Sequence, residues 1–240
     1  MKKAIIVGAS SGMGLEVAKL LLDEGYALGV AARREDRLHA LKLIAPDRVE
    51  VATIDITAED AASSLRSLID RLGGMDLYFH ASGIGKQNRN LSSDIELATV
   101  NTNGMGFTRM VGEAYRYFAE RGEGHIVAIT SIAGTKGLGP APSYSATKAF
   151  QNTYLQALEQ QANTRNLKIR FTDIRPGFVD TDLLKGDYHY PMMLKSESVA
   201  RDIVKAIHNQ RHIMVIDWKY ALLTALWRRL PRALWRRLKI

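Results

Sequence analysis

The sequence has 240 residues, 46% of them hydrophobic, which suits one domain with a full core. It has no cysteine, so disulfides and thiolate metal sites are excluded, and a reducing, cytoplasmic compartment fits. The net charge of +8 sits in Arg201–Ile240, where ten Lys and Arg face two Asp, while the acids and bases of the first 200 residues cancel; this argues against a globally basic nucleic-acid binder and for a local anionic contact.

The opening apolar run, Ala4–Val7, is too short for a secretory leader and is predicted as a strand. Gly14–Glu24 follows with helical spacing, then a strand over Ala27–Ala32 and a helix over Arg34–Leu43. Val49–Asp55 is the next strand, Ala58–Leu72 a helix, and Met75–His80 a strand. Asp94–Arg121 reads as one long helix, loosened near Gly104 and Gly106. Gly124–Thr130 is a strand, Ser143–Ala162 a helix, Lys168–Ile174 a strand, Ser196–Gln210 a helix and Ile213–Ile216 a last strand. Phe178–Lys195 has no clear period and reads as a loop or lid. No stretch is long and apolar enough to span a bilayer. The alternation predicts an α/β fold: a Rossmann-like, doubly wound parallel sheet of about seven strands with helices on both faces. The ligand crevice should lie beyond the carboxyl ends of the strands. A first domain over 1–217 and a basic extension over 218–240 are expected.

The first strand runs into Gly8, Ala9, Ser10, Ser11, Gly12, Met13 and Gly14, which open a helix. Glycines there permit a tight turn and let backbone N–H groups approach a pyrophosphate, aided by the helix N-terminus. The second strand ends at Ala32, where an NAD site usually carries an acid, and Arg33 and Arg34 follow. Guanidinium groups favour the 2′-phosphate of NADP(H). Asp55 could bond an adenine amino group or simply cap the next helix. Ala81, Ser82 and Gly83 are small enough for close cofactor approach, and His80 reads as a packed or capped histidine. Ser131 follows the fifth strand, and Tyr144 and Lys148 lie four apart, on one helix face.

This ordered set resembles the short-chain dehydrogenase/reductase family in its compact single-domain branch, over about residues 3–216. The resemblance rests on Gly8–Gly14, Asp55, Ser82-Gly83, Asn101, Ser131, Tyr144–Lys148, Pro176-Gly177 and Thr181. It implies a catalytic tetrad of Asn101, Ser131, Tyr144 and Lys148. Ser131 would orient a substrate carbonyl, and Tyr144 would pass a proton to or from the alkoxide. Lys148 and the positive nicotinamide ring would together lower the phenol's pKa from about 10; Lys148 would also hold the nicotinamide ribose, and Asn101 would support a water relay. It also implies that Ile56 beside Asp55, and Pro176, Gly177, Val179 and Thr181, meet the cofactor. Two positions depart from the family pattern: Val7 stands where threonine is common, and His80-Ala81-Ser82-Gly83 replaces Asn-Asn-Ala-Gly.

The resemblance therefore implies an NADP(H)-dependent oxidoreductase acting on a small carbonyl or alcohol, as a homodimer or homotetramer. The alternatives are a catalytically silent NADP(H) sensor and an epimerase working through a keto intermediate. The hexapeptide Ala-Leu-Trp-Arg-Arg-Leu occurs at Ala225–Leu230 and again at Ala233–Leu238. Leu and Trp on one side and Arg on the other would suit contact with the inner face of a membrane and a lipid-like substrate. The alternative is that the apolar side caps the cleft or an oligomer interface.

Overall fold

The computed structural model describes residues 1–184 and 190–238. Residues 185–189 of the expected loop, and the last two residues of the basic extension, lie outside the described residues. The chain runs β1 (Lys3–Val7), α1 (Gly12–Asp23), β2 (Ala27–Ala32), α2 (Glu35–Ile44), β3 (Val49–Thr53), α3 (Ala61–Leu72), β4 (Leu77–His80) and α4 (Ser93–Val100). It continues through α5 (Phe107–Arg121), β5 (Glu123–Ile129), α6 (Pro142–Thr164), β6 (Lys168–Arg175), β7 (Val179–Asp180), β8 (Leu194–Lys195), α7 (Ser196–His208) and β9 (Ile213–Val215). Two further helices, α8 (Trp218–Arg229) and α9 (Arg232–Trp235), follow.

Seven parallel strands form one sheet in the order β3-β2-β1-β4-β5-β6-β9. Side-chain alternation along each strand sorts the core into two layers. Ile6, Val30, Phe79 and Val127 pack against Val17 and Leu21 of α1 and Val199 and Ile203 of α7. Ile5, Tyr78, Ile126 and Phe171 pack on the other face against Leu65 of α3, Phe107 and Phe118 of α5 and Leu155 of α6. The strand order reverses direction between β1 and β4, so the crevice opens there.

The expected single helix over Asp94–Arg121 is broken. Between α4 and α5 the chain makes a π-helical turn over Asn101–Gly106. Gly106 allows it to lie close to α3's approach, since a Cβ there would be 2.9 Å from Ile56 Cγ1. The wider turn shifts the helix face, and this decides which asparagine enters the cleft. The expected loop over Phe178–Lys195 contains order of its own: β7 and β8 pair in parallel.

Candidate active site

Each glycine of the first loop answers a steric demand. Gly8 has φ +94°, and a Cβ there would sit 2.6 Å from the Ser82 nitrogen, so β1 and the segment after β4 meet backbone to backbone. A Cβ on Gly14 would lie 2.2 Å from the Gly8 carbonyl oxygen, so α1 could not start so close to β1. Gly12 has φ +55° and faces Thr181, whose methyl would be 3.1 Å from a Cβ. The Pro176–Thr181 segment thus closes over the glycine loop. No side chain caps α1: the Ser11 hydroxyl makes no bond to the helix N–H groups. That free N-terminus at a glycine cradle fits a pyrophosphate.

Arg34 folds onto this loop, donating to Ser10 Oγ (3.1 Å) and Ser11 Oγ (2.6 Å), with Asp182 at 3.6 Å. Arg33 is exposed and has no hydrogen-bond or ion-pair partner among the described residues. Asp55 does not cap a helix at Ala58. Its Oδ1 accepts from Thr57 N (2.9 Å) and Thr57 Oγ (2.7 Å), and α3 starts later, at Ala61. Those two bonds, helped by Arg33, hold its carboxyl below the usual range. Ile56 is buried, and its carbonyl accepts from Arg109. Ala81, Ser82 and Gly83 line the crevice beside Gly8, and Met13 packs against the α1 layer of the core. Pro176 receives the Ile132 N–H, and Val179 is buried in β7.

The reactive groups converge at the ends of β5 and β6. Ser131 leaves β5 in extended backbone, and its Oγ accepts from Ala133 N (3.0 Å) and lies near the Tyr144 phenol. The Tyr144 ring lies against Gly85, where a Cβ would be 2.6 Å from ring carbon Cε2. Lys148 is buried one turn further along α6, its Nζ 5.7 Å from the Tyr144 ring centre. Its ammonium donates to Ile129 O (3.1 Å) and Gln151 Oε1 (3.0 Å). Burial lowers its pKa to about 8, against an opposing pull from Asp173.

Two expectations need correction. Asn101 is exposed in the π-helical turn, and the buried asparagine of the cleft is Asn103. Its amide brackets Ile84, accepting from the nitrogen (2.9 Å) and donating to the carbonyl (2.7 Å), and reaches Thr147 Oγ at 3.4 Å. The resemblance implied Asn101; the widened turn presents the residue two positions on. Second, the leucines and indoles of the C-terminal repeats do not share a side: Trp227 and Trp235 bond inward to Thr135 and Gly137, while Leu226, Leu234 and Leu238 stay exposed. In the chain by itself, burial raises the Tyr144 pKa against a smaller opposing pull from Ser131.

Gln151 was not anticipated. It is completely buried, and it joins Lys148 to the π-helical turn by donating from Nε2 to Asn103 O at 2.8 Å. A polar residue at the seventh position after Tyr144, on the face that buries Lys148, was the available signal.

Comparison with known proteins agrees with this geometry. A short chain dehydrogenase family profile matches residues 2–189. A protein described as an uncharacterized oxidoreductase of Myxococcus xanthus is 30% identical over 240 residues, covering 97% of this chain and 94% of the relative. A short-chain dehydrogenase from Sphingobium yanoikuyae, solved in complex with NADPH, superposes with a TM-score of 0.82 at 19% identity, over 100% of this chain and 97% of that one. The closed form of a serine dehydrogenase complexed with NADP+ gives 0.78 at 22% identity, over 89% and 94%. The chain is an oxidoreductase belonging to the short-chain dehydrogenase family.

Proposed function

We propose that the chain interconverts a carbonyl and an alcohol with NADP(H), using Ser131, Tyr144 and Lys148 on the substrate side. The observation that carries this reading is the convergence of Ser131, at the end of β5, with Tyr144 and buried Lys148 on one face of α6. The glycine cradle and the uncapped α1 would hold the pyrophosphate, and Arg33 and Arg34 the 2′-phosphate. Bound there, the nicotinamide supplies or accepts the hydride. Ser131 Oγ positions the substrate oxygen, and Tyr144 donates its phenolic proton to that oxygen as it becomes an alkoxide. Lys148 would stabilise the phenolate left on Tyr144 and hold the ribose hydroxyls, with Gln151 Oε1 and the Ile129 carbonyl positioning its ammonium.

The outer faces of α4, α5 and α6 would build a homodimer or homotetramer. A lipid-like carbonyl is the substrate class that the basic C-terminal helices favour.

Tyr144→Phe should abolish NADPH oxidation with a responsive carbonyl while leaving NADPH binding nearly intact; full turnover would remove Tyr144 from the mechanism. Arg33→Ala should weaken NADPH binding about tenfold or more while sparing NADH. An equal preference for the two cofactors in the parent protein would refute the 2′-phosphate assignment.

A further inference from the structure

The C-terminal helices are bolted to the rim of the cleft from one side only. The Tyr220 ring is buried over Gly177, where a Cβ would be 2.2 Å from it, and its hydroxyl meets Phe178 N, Pro191 O and Met192 O. Trp227 Nε1 donates to Thr135 Oγ (2.7 Å), Trp235 Nε1 to Gly137 O (2.8 Å), and Lys136 Nζ to Leu230 O (3.0 Å). The two indoles pack edge to face, 5.7 Å apart. Their polar N–H groups are thereby spent on the protein.

What faces outward is largely apolar. Trp218 is 69% exposed, Leu222 55% and Leu226 57%, and their four-residue spacing makes one stripe along α8. Leu234 of α9 is exposed as well. A cavity of about 760 Å³ lies between α9, the Gly134–Gly139 loop and α6. Arg228, Arg232 and Arg236 line it. None of the three has an ion-pair or hydrogen-bond partner through its guanidinium among the described residues, and no acid occurs between Lys219 and Ile240.

The geometry points to a docking surface for an anionic lipid bilayer, with the α8 stripe entering the acyl boundary and the arginine-lined cavity taking headgroup phosphate. Three arguments select that occupant. Exposed apolar side chains and unneutralised guanidinium groups are carried by the same two short helices, which is the composition an interface of hydrocarbon and phosphate satisfies. The same segment of a second copy would bring no acid between Lys219 and Ile240 to answer the arginines. A nucleic acid would meet the arginines but leave the leucines in water. Docking would also bring the cleft-rim residues that hold these helices, Thr135–Gly137 together with Phe178, Pro191 and Met192, near the bilayer. This surface does not depend on the proposed chemistry, and binding is read separately from turnover.

The test is co-sedimentation of the full chain with vesicles of phosphatidylglycerol or of phosphatidylcholine. The variants are Leu222→Ser/Leu226→Ser and Arg228→Gln/Arg232→Gln/Arg236→Gln. All these positions are exposed, and retained NADPH binding checks the fold. The parent should prefer phosphatidylglycerol by at least about tenfold. The arginine variant should lose that preference, and the leucine variant should bind both vesicles about tenfold more weakly. Equal binding by parent and variants would overturn the proposal. So would displacement by millimolar inorganic phosphate with no effect of the leucine changes, which would make the cavity a site for a free anion. A change of sedimentation coefficient in the leucine variant without lipid would overturn it too, by making the stripe a subunit interface.

Discussion

The glycine loop and the C-terminal helices are held in place by opposite means. At Gly8 and Gly14 backbone meets backbone with no room for a methyl group, so the contact admits one residue type. The α8–α9 segment is held by a few side-chain bonds through Tyr220, Trp227, Trp235 and Lys136, while Leu222, Leu226 and Leu234 stay in solvent. A steric contact tolerates no substitution, and a few neutral hydrogen bonds of about 1 kcal/mol each tolerate many. The region expected to bind an invariant pyrophosphate is rigid. The one expected to meet a fluid surface is lightly tethered.

The sharpest way to break this contrast is Gly14→Ala. Its methyl would overlap the Gly8 carbonyl, so a loss on the order of 3 kcal/mol is expected, with NADPH binding lost as well. Denaturant unfolding and NADPH fluorescence read both; a variant of parental stability would show that the loop yields.

An intermediate effect is expected between the two regions, at Gln151. Gln151→Leu removes the side-chain acceptor of the Lys148 ammonium and the donor to Asn103 O, at a cost of about 1–3 kcal/mol. The Lys148 pKa is already lowered to about 8, so activity that needs the ammonium should fall as pH rises through that value. Without the Gln151 carbonyl the ammonium loses support, and the basic limb of the pH–rate profile should move to lower pH. Gln151→Glu should move it to higher pH, because a carboxylate favours the charged lysine. Identical profiles for both variants would reduce Gln151 to packing.

The smallest effect belongs to the tether. Trp227→Phe loses one bond to Thr135 and should cost about 1 kcal/mol, with NADPH binding unchanged. Thermal unfolding would measure it, and a loss as large as that of Gly14→Ala would erase the contrast.

The sequence by itself determined the sheet, the glycine cradle and the Ser131–Tyr144–Lys148 set, because periodicity and chain order report on local geometry and on which faces are buried. Strand positions in the main sheet and the Tyr144–Lys148 face agree with that reading, with ends shifted as at α3, while the long helix over Asp94–Arg121 broke and β7 and β8 formed within the expected loop. Tertiary structure decided the rest. Asn103 replaced Asn101 because a π-helical turn adds rotation that no 3.6-residue pattern encodes, and Gly106 against Ile56 is a contact between distant segments. Gln151 became a partner of Lys148 only when α6 met that turn. The upward direction of the Tyr144 pKa in the chain by itself comes from burial, which only the packed structure sets. In the C-terminal repeats, leucine and tryptophan have the same hydrophobic signature in the sequence. The Thr135 hydroxyl and the Gly137 carbonyl turned the indoles inward and left the leucines outside.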